Sequence, residues 1–264
     1  MSFQLYTARE APSPDRVLDG LAAIGYDAVE AWPGDYSSDP KGFRSKLDAS
    51  GLACLGFHLP YAALVEEPRR LVEVAGILGD KPLMIPSFLP PQFRPATADG
   101  WRRIGSELGR CADIASENGL TLAWHNHEFE FRLLPDGSRP IDHMLAEGGP
   151  ELGLEIDFAW VARGWADPLA ELERFADRIV AIQLKDTAPP GTLDEQNGWR
   201  VPGEGIVDWQ HLFPLFARTP ADHLVVEHDR PLDWREVARR AHDFVSRQFG
   251  SGTERAAGGV AQAN

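Results

Sequence analysis

The chain is predicted to fold as one closed parallel (β/α)8 barrel. Three observations predict it. Short apolar or β-rich runs recur eight times, each is followed by a helix-like pattern, and the 264 residues match the ~250 typical of a single such barrel. Strands alternating with helical stretches imply βαβ units and parallel pairing, and eight repeats imply closure. The architectural alternative is an open doubly wound sheet. No Gly-x-Gly-x-x-Gly turn follows the first strand, which argues against a dinucleotide-binding version of it.

The first strand is expected over 3–7 (Phe3-Gln4-Leu5-Tyr6-Thr7) and the second over 28–31 (Ala28-Val29-Glu30-Ala31). The third spans 52–57 and the fourth 82–86, where Leu83-Met84-Ile85 sits between prolines. A helix follows through Trp101, Ile104, Leu108, Cys111, Ala112 and Ala115, whose apolar residues recur at three- and four-residue spacing. The fifth strand lies at 120–125 and the sixth at 152–157; the next helix begins on the cap-and-proline pair Asp167-Pro168 and reaches Phe175. Strands at 179–184 and 223–227 close the set, and a last helix runs from Asp233 to Phe249. Together these define a single domain over residues 1–249. Residues 250–264 show no apolar periodicity and are expected to be a disordered tail.

Bulk properties exclude several classes. A net charge of -14 argues against a nucleic-acid partner, which requires clustered Lys and Arg. Two cysteines, Cys54 and Cys111, suggest no disulfide framework. Gln4 and Arg9-Glu10 interrupt any N-terminal apolar run, so no signal peptide is expected. No uninterrupted stretch of ~18 apolar residues is present to span a membrane. A cytoplasmic protein is the expectation.

The segment Trp124-His125-Asn126-His127-Glu128-Phe129-Glu130-Phe131 carries the strongest functional signal, because two imidazoles and two carboxylates follow directly on an apolar strand. Asp157, Asp186 and Glu227 likewise end or follow apolar runs. In a parallel barrel such positions gather at the rim formed by the carboxyl ends of the strands. Side chains alternate along a strand, so Glu155 shares a face with Asp157 and lies one layer deeper, and Gln183 shares one with Lys185. Hard divalent cations favour oxygen ligands with one imidazole, a shell that Asp157, Glu227, Gln183 and His125 can supply from four strands. Each residue also has an ordinary explanation. A lone carboxylate at a strand end is more often a helix cap, His58 can be a hydrogen-bonded core histidine, and Trp32, Trp124, Trp160 and Trp199 can be packing as well as a sugar-facing wall. The Pro- and Gly-rich segment Thr187–Asp208 is long enough to be a lid. Arg200 and Glu204 within it are candidates to close over a substrate, alongside His58 and Trp160.

In order along residues 1–248, several motifs resemble those of the sugar phosphate isomerase/epimerase family, within the xylose-isomerase-like TIM-barrel superfamily. They are Phe3-Gln4-Leu5-Tyr6-Thr7-Ala8-Arg9, Gly25-Tyr26-Asp27-Ala28-Val29-Glu30, His125-Asn126-His127 with Glu130-Phe131, and Leu154-Glu155-Ile156-Asp157 with Trp160. Asp167-Pro168, Lys185-Asp186, Pro202-Gly203-Glu204-Gly205 and Val226-Glu227-His228-Asp229 complete them. The resemblance implies a TIM barrel acting on a small-molecule carbohydrate, a homodimer, and a divalent metal (Mn, Mg, Co or Zn). Four ligands from successive strand ends would hold it: Glu, Asp, His and Glu. Asp157 matches the Asp and Glu227 the second Glu. Ala123 stands where the first Glu is usual, so His125 or Glu155 would have to compensate, and Gln183 replaces the usual His.

The chemistry so implied is proton transfer next to a carbonyl through an enediolate. Glu227 is the candidate base, Glu155 or His127 the partner on the opposite face, and Lys185 the oxyanion stabiliser. An isomerase or epimerase is the first expectation, and loss of water from the same enediolate gives a lyase. A sugar-binding barrel without turnover is a third reading. Trp160 stands where related epimerases carry a His, which points to a different sugar orientation. The DNA-repair endonuclease branch would need more histidines and a basic face.

Overall fold

A computed structural model describes residues 1–87, 89–192 and 194–249, with the side chain of Phe249 left aside. The tail expected over 250–264 lies outside the described residues. The strands are β1 (Ser2–Gln4), β2 (Ala28–Ala31), β3 (Ala53–Leu59), β4 (Leu83–Pro86), β5 (Leu122–His125), β6 (Leu152–Asp157), β7 (Ile179–Leu184), β8 (Asp186–Thr187), β9 (Trp199–Arg200) and β10 (His223–Val226). Eight of them close a parallel barrel in the order β1-β10-β7-β6-β5-β4-β3-β2, and β8 and β9 form a separate antiparallel ribbon.

Strand boundaries depart from expectation where a local hydrogen bond overrides the apolar pattern. β1 stops at Gln4 because its side-chain carbonyl accepts the Tyr6 N–H at 3.0 Å, turning Leu5–Ala8 into a 3-10 helix. β3 runs on to Leu59, since His58 and Leu59 still pair with Ile85 and Pro86, and Pro60 ends it. The three expected helices are present as Ala98–Glu117, Pro168–Phe175 and Trp234–Phe249. The first is capped by Thr97, whose hydroxyl accepts the Gly100 N–H, and the second by Asp167, whose carboxylate accepts the Leu169 N–H.

The core divides in two. Outward-facing strand residues such as Phe57, Trp124, Leu154, Ile156, Ile182 and Leu184 pack against the helices in one large apolar cluster. Inside the barrel the apolar filling is small, consisting of Leu83, Ile85, Ala123 and Ala181. Above it the interior turns polar, with Gln4, Glu30, His58, His125, Glu155, Asp157 and Gln183 all buried. Gly56 makes room for this layer, because a Cβ there would come within 2.8 Å of Glu30 Oε2. No helix among the described residues is long and apolar enough to cross a membrane.

Candidate active site

The polar interior is built in two tiers. The deeper tier centres on His58, whose Nε2 lies 2.8 Å from Glu30 Oε1 and 3.5 Å from Glu155 Oε1. Gln4 donates its amide to the same Glu30 oxygen at 2.7 Å, and Gln183 donates to Glu155 Oε1 at 3.1 Å. His125 Nδ1 stands 3.1 Å from that Glu155 oxygen, out of line for a hydrogen bond. Burial and the nearby Glu155 push the Glu30 carboxyl up to about 7. Burial pulls His58 down, but Glu30 and Glu155 together raise it to about 10, so His58 is a buried cation at neutral pH.

The upper tier is the rim. Lys185 Nζ contacts Asp229 Oδ1 at 2.7 Å, Glu227 Oε2 at 2.8 Å and Asp157 Oδ2 at 3.4 Å. Burial opposes its charge, and the three carboxylates more than restore it, raising its pKa. Burial pushes Asp157 up to about 7 despite Lys185, and it raises Glu227 as well. Burial likewise holds His125 and His127 well below the usual imidazole range, so both rings are neutral.

Backbone geometry fixes these groups. The Asn126 side chain accepts the Asp157 N–H at 3.0 Å and donates to the Asp157 carbonyl at 3.1 Å, locking the ends of β5 and β6 together. Asp157 Oδ1 caps the helix Phe158–Arg163 by accepting the Trp160 N–H at 2.9 Å, while Oδ2 makes no hydrogen bond. The capping and the chemical explanations of this residue therefore both hold, one for each oxygen. Glu130 accepts from Trp124 Nε1 at 3.0 Å and from the His127 N–H at 2.9 Å, which sets the turn that presents His127.

These residues fit a divalent cation. Single ligand atoms from His125, Asp157 and Glu227 lie within 4.8 Å of one another, and a second such group joins His58, His125 and Glu155. Buried Asp157 Oδ2, Glu155 Oε2 and Gln183 Oε1 make no hydrogen bond, and of these Asp157 Oδ2 has Lys185 Nζ at 3.4 Å, an arrangement that is costly for the other two unless something positive meets them. Among the described residues, the close ion pairs of five carboxylates (Glu30, Glu155, Asp157, Glu227, Asp229) are made by two cations, His58 and Lys185. A cavity of about 1000 Å³ opens above them, lined by His58, His125, His127, Trp160, Lys185, Glu227 and Asp229 at its polar end.

The family described as "Xylose isomerase-like TIM barrel" matches residues 18–248. The chain belongs to that family. Within it, the chain is similar to the inosose dehydratase of Geobacillus kaustophilus (strain HTA426), at 27% identity over 77% of this chain and 75% of that protein. It is 25% identical to the inosose dehydratase of Lacticaseibacillus casei, with 80% of each chain covered. Among solved structures, a sugar phosphate isomerase/epimerase from Parabacteroides distasonis ATCC 8503 shares the fold with a TM-score of 0.78 at 18% identity, covering 93% and 92% of the two chains. The IolI protein, solved with a bound zinc atom, has a TM-score of 0.75 at 19% identity over 95% and 99%.

Against this xylose isomerase-like frame, His125, Asp157, Gln183, Glu227, His127, Glu155, Lys185, His58 and Trp160 converge as one cluster. Ala123 sits in the interior apolar filling, and His125 joins Asp157 and Glu227. Two candidates fall elsewhere. Arg200 pairs with Asp194 at 2.7 Å and donates to the Trp199 carbonyl, and Glu204 pairs with Arg240 of the last helix. Neither lines the cavity. The reason is Asp186, the rim carboxylate that turns away from the centre. It accepts the Thr187, Gly203 and Val207 N–H groups and Trp209 Nε1 at 2.8–3.1 Å, fastening this loop along a fixed course.

Trp32, one of the tryptophans expected as packing or as a sugar-facing wall, lines the cavity beside Tyr6, whereas Glu30, Asp229 and Tyr6 were not among the expected site residues. Glu30 had a readable signal, a lone carboxylate inside the apolar strand Ala28–Ala31. Asp229 had only its place two residues after Glu227.

Proposed function

We propose that the protein removes a proton from the carbon beside a carbonyl of a polyhydroxylated ring ketone and expels water from the next carbon, acting as a dehydratase on a keto sugar or keto-cyclitol. The observation that carries the reading is the His125–Asp157–Glu227 triad, with Asp157 Oδ2 and His125 Nδ1 making no hydrogen bond, at the floor of a cavity. His125, Asp157 and Glu227 would hold a divalent cation, with the Gln183 carbonyl beside Asp157 in the β6–β7 register. Such a cation supplies electrophilic polarisation of neighbouring carbonyl and hydroxyl oxygens. The zinc bound in the IolI structure supports a cation in this fold.

His127 is neutral and lines the cavity, so its imidazole can take the α-proton. The electron pair left on carbon moves into the carbonyl, and the charge on oxygen is met by the Lys185 ammonium. Re-formation of the carbonyl expels the hydroxyl on the β-carbon, which leaves as water with the proton that His127 returns. Glu130 fixes the His127 backbone, and Asp229 with Glu227 holds Lys185 protonated and in place. Trp160, with Lys185 Nζ 5.2 Å from its ring centre, forms the apolar side, and buried Trp199 packs against it at 4.5 Å. Elimination is favoured over isomerisation because inosose dehydratases match the chain over three quarters or more of their length. Return of the proton to a neighbouring carbon would instead give the isomerase or epimerase.

The test is incubation with inosose, a keto-cyclitol, in D₂O with Mn²⁺, Mg²⁺, Co²⁺ or Zn²⁺ added in turn. Deuterium uptake by NMR and loss of one water by mass spectrometry are followed together. Both are expected. Uptake without water loss makes the protein an isomerase or epimerase, and neither, across a panel of ring ketones, makes it a barrel without turnover.

A further inference from the structure

The cavity is larger and more apolar than a bare sugar ring needs. Its volume of about 1000 Å³ is at the top of the roughly 300–1,000 Å³ that encloses a drug-sized ligand. The groups described above occupy one end, and Arg94, Arg103 and Glu107 add a few charges along the other. Most of that end is an apolar wall of Leu59, Pro60, Leu89, Pro90, Pro95 and Ile104, supplied by the end of β3, the loops after β3 and β4 and the helix Ala98–Glu117. Phe93 also lines it and remains 64% exposed, so its ring is open to a ligand. Hydroxyl groups gain nothing from the apolar residues of such a surface.

The wall is also stiff. Prolines at 33, 60, 90 and 95 lie along the cavity, and each fixes its own backbone torsion. Tyr61 is held by a hydrogen bond to Glu107 and sits edge-on to Trp124, 6.4 Å between ring centres. A surface ordered before binding loses little freedom when a flat group settles on it. It is continuous with the polar floor, so one molecule can occupy both ends.

We infer that the substrate is a polyhydroxylated ring carrying a flat apolar substituent, such as an aryl group, which lies against this wall while the ring sits over His125, Lys185 and Glu227. The inference rests on the reading of the polar end as a carbohydrate site and goes beyond it in naming the substituent.

Calorimetry on the metal-loaded protein compares phenyl β-D-glucopyranoside with methyl β-D-glucopyranoside. Burying a phenyl ring should make the first bind about ten- to a hundredfold more tightly. In Ile104→Asn and in Phe93→Ser that advantage should shrink towards onefold; the second site is exposed, so one variant folds even where the other does not, as circular dichroism will report. Equal affinities, no binding of the phenyl compound, or an advantage that survives both substitutions overturns the inference. A protein that dimerises through Phe93 and ignores the phenyl compound gives the wall to a second copy, and overturns it too. Deuterium exchange on inosose is read separately. Its failure beside a persisting phenyl advantage removes the reaction but not the substituent site.

Discussion

The two faces of the same strands do opposite work. In β6, Leu154 and Ile156 point outward into the apolar layer under the helices, and their neighbours Glu155 and Asp157 point inward, yet all four are fully buried. In β7, Ile182 and Leu184 pack outward, whereas Gln183 and, just beyond the strand, Lys185 belong to the site. Burial stabilises on one face, at about 1.5–3 kcal/mol for each large aliphatic side chain. On the other it costs, because carboxylates out of water need partners, and Glu155 Oε2 and Gln183 Oε1 have none while Asp157 Oδ2 has only Lys185 at 3.4 Å. The barrel is held together from outside, and its interior is left with an unmet demand for positive charge. That demand is what equips it to bind a cation and a polar substrate.

The sharpest break of this comparison removes a carboxylate from the inner face. Asp157→Asn or Glu227→Gln should abolish stoichiometric divalent metal, read by elemental analysis, and lower kcat by about 10²–10³-fold. In the unsubstituted protein, metal affinity should weaken as pH falls through about 7, because protonation of Asp157 competes with the cation. Calorimetric titration at pH 6 and pH 8 measures it.

Period-two alternation explains why much of this was legible in the sequence. A side chain on a strand has its direction set by parity, so Glu155 below Asp157 and His125 at the end of β5 could be placed from spacing alone. The barrel and its strands followed from the same pattern, with β6 and β7 matching residue for residue. Loop side chains have no such rule. Arg200 and Glu204 looked poised over a substrate, but Asp186 ties their segment down through backbone N–H groups that leave no trace in a residue pattern. The apolar wall was hidden for a related reason. Leu59, Leu89, Pro90 and Ile104 are distant in sequence, and each reads as ordinary loop or core until the fold brings them to one cavity.

His58 tests the charge balance of the inner face. Its folded pKa, about 10, is above its ordinary value of 6.5, so its ion pairs stabilise fully below pH 6.5 and are lost as pH rises through about 10. Urea unfolding of the metal-free protein should show that decline across pH 7–10. His58→Asn should cost about 3–5 kcal/mol at pH 7.5, because it removes the cation between Glu30 and Glu155 and leaves Glu30 only the Gln4 amide, and should flatten the profile. On the outer face, Leu154→Ala should cost about 2–5 kcal/mol at every pH and leave metal stoichiometry unchanged. A loss of metal in that variant would mean the two faces are not separable.

The smallest effect is expected at Arg200. Its guanidinium meets Asp194 at 2.7 Å with both side chains partly in solvent, a pairing worth at most about 1 kcal/mol and weaker still in salt. The loop is fastened by Asp186 instead, so Arg200→Ala should leave the unfolding midpoint nearly unmoved and change kcat/KM on a ring ketone by less than about twofold, since each tenfold needs about 1.4 kcal/mol. Steady-state kinetics at low and high salt measure it. A tenfold or larger loss would mean that the segment leaves the course seen here and brings Arg200 over the bound ring, making the loop part of the inner face after all.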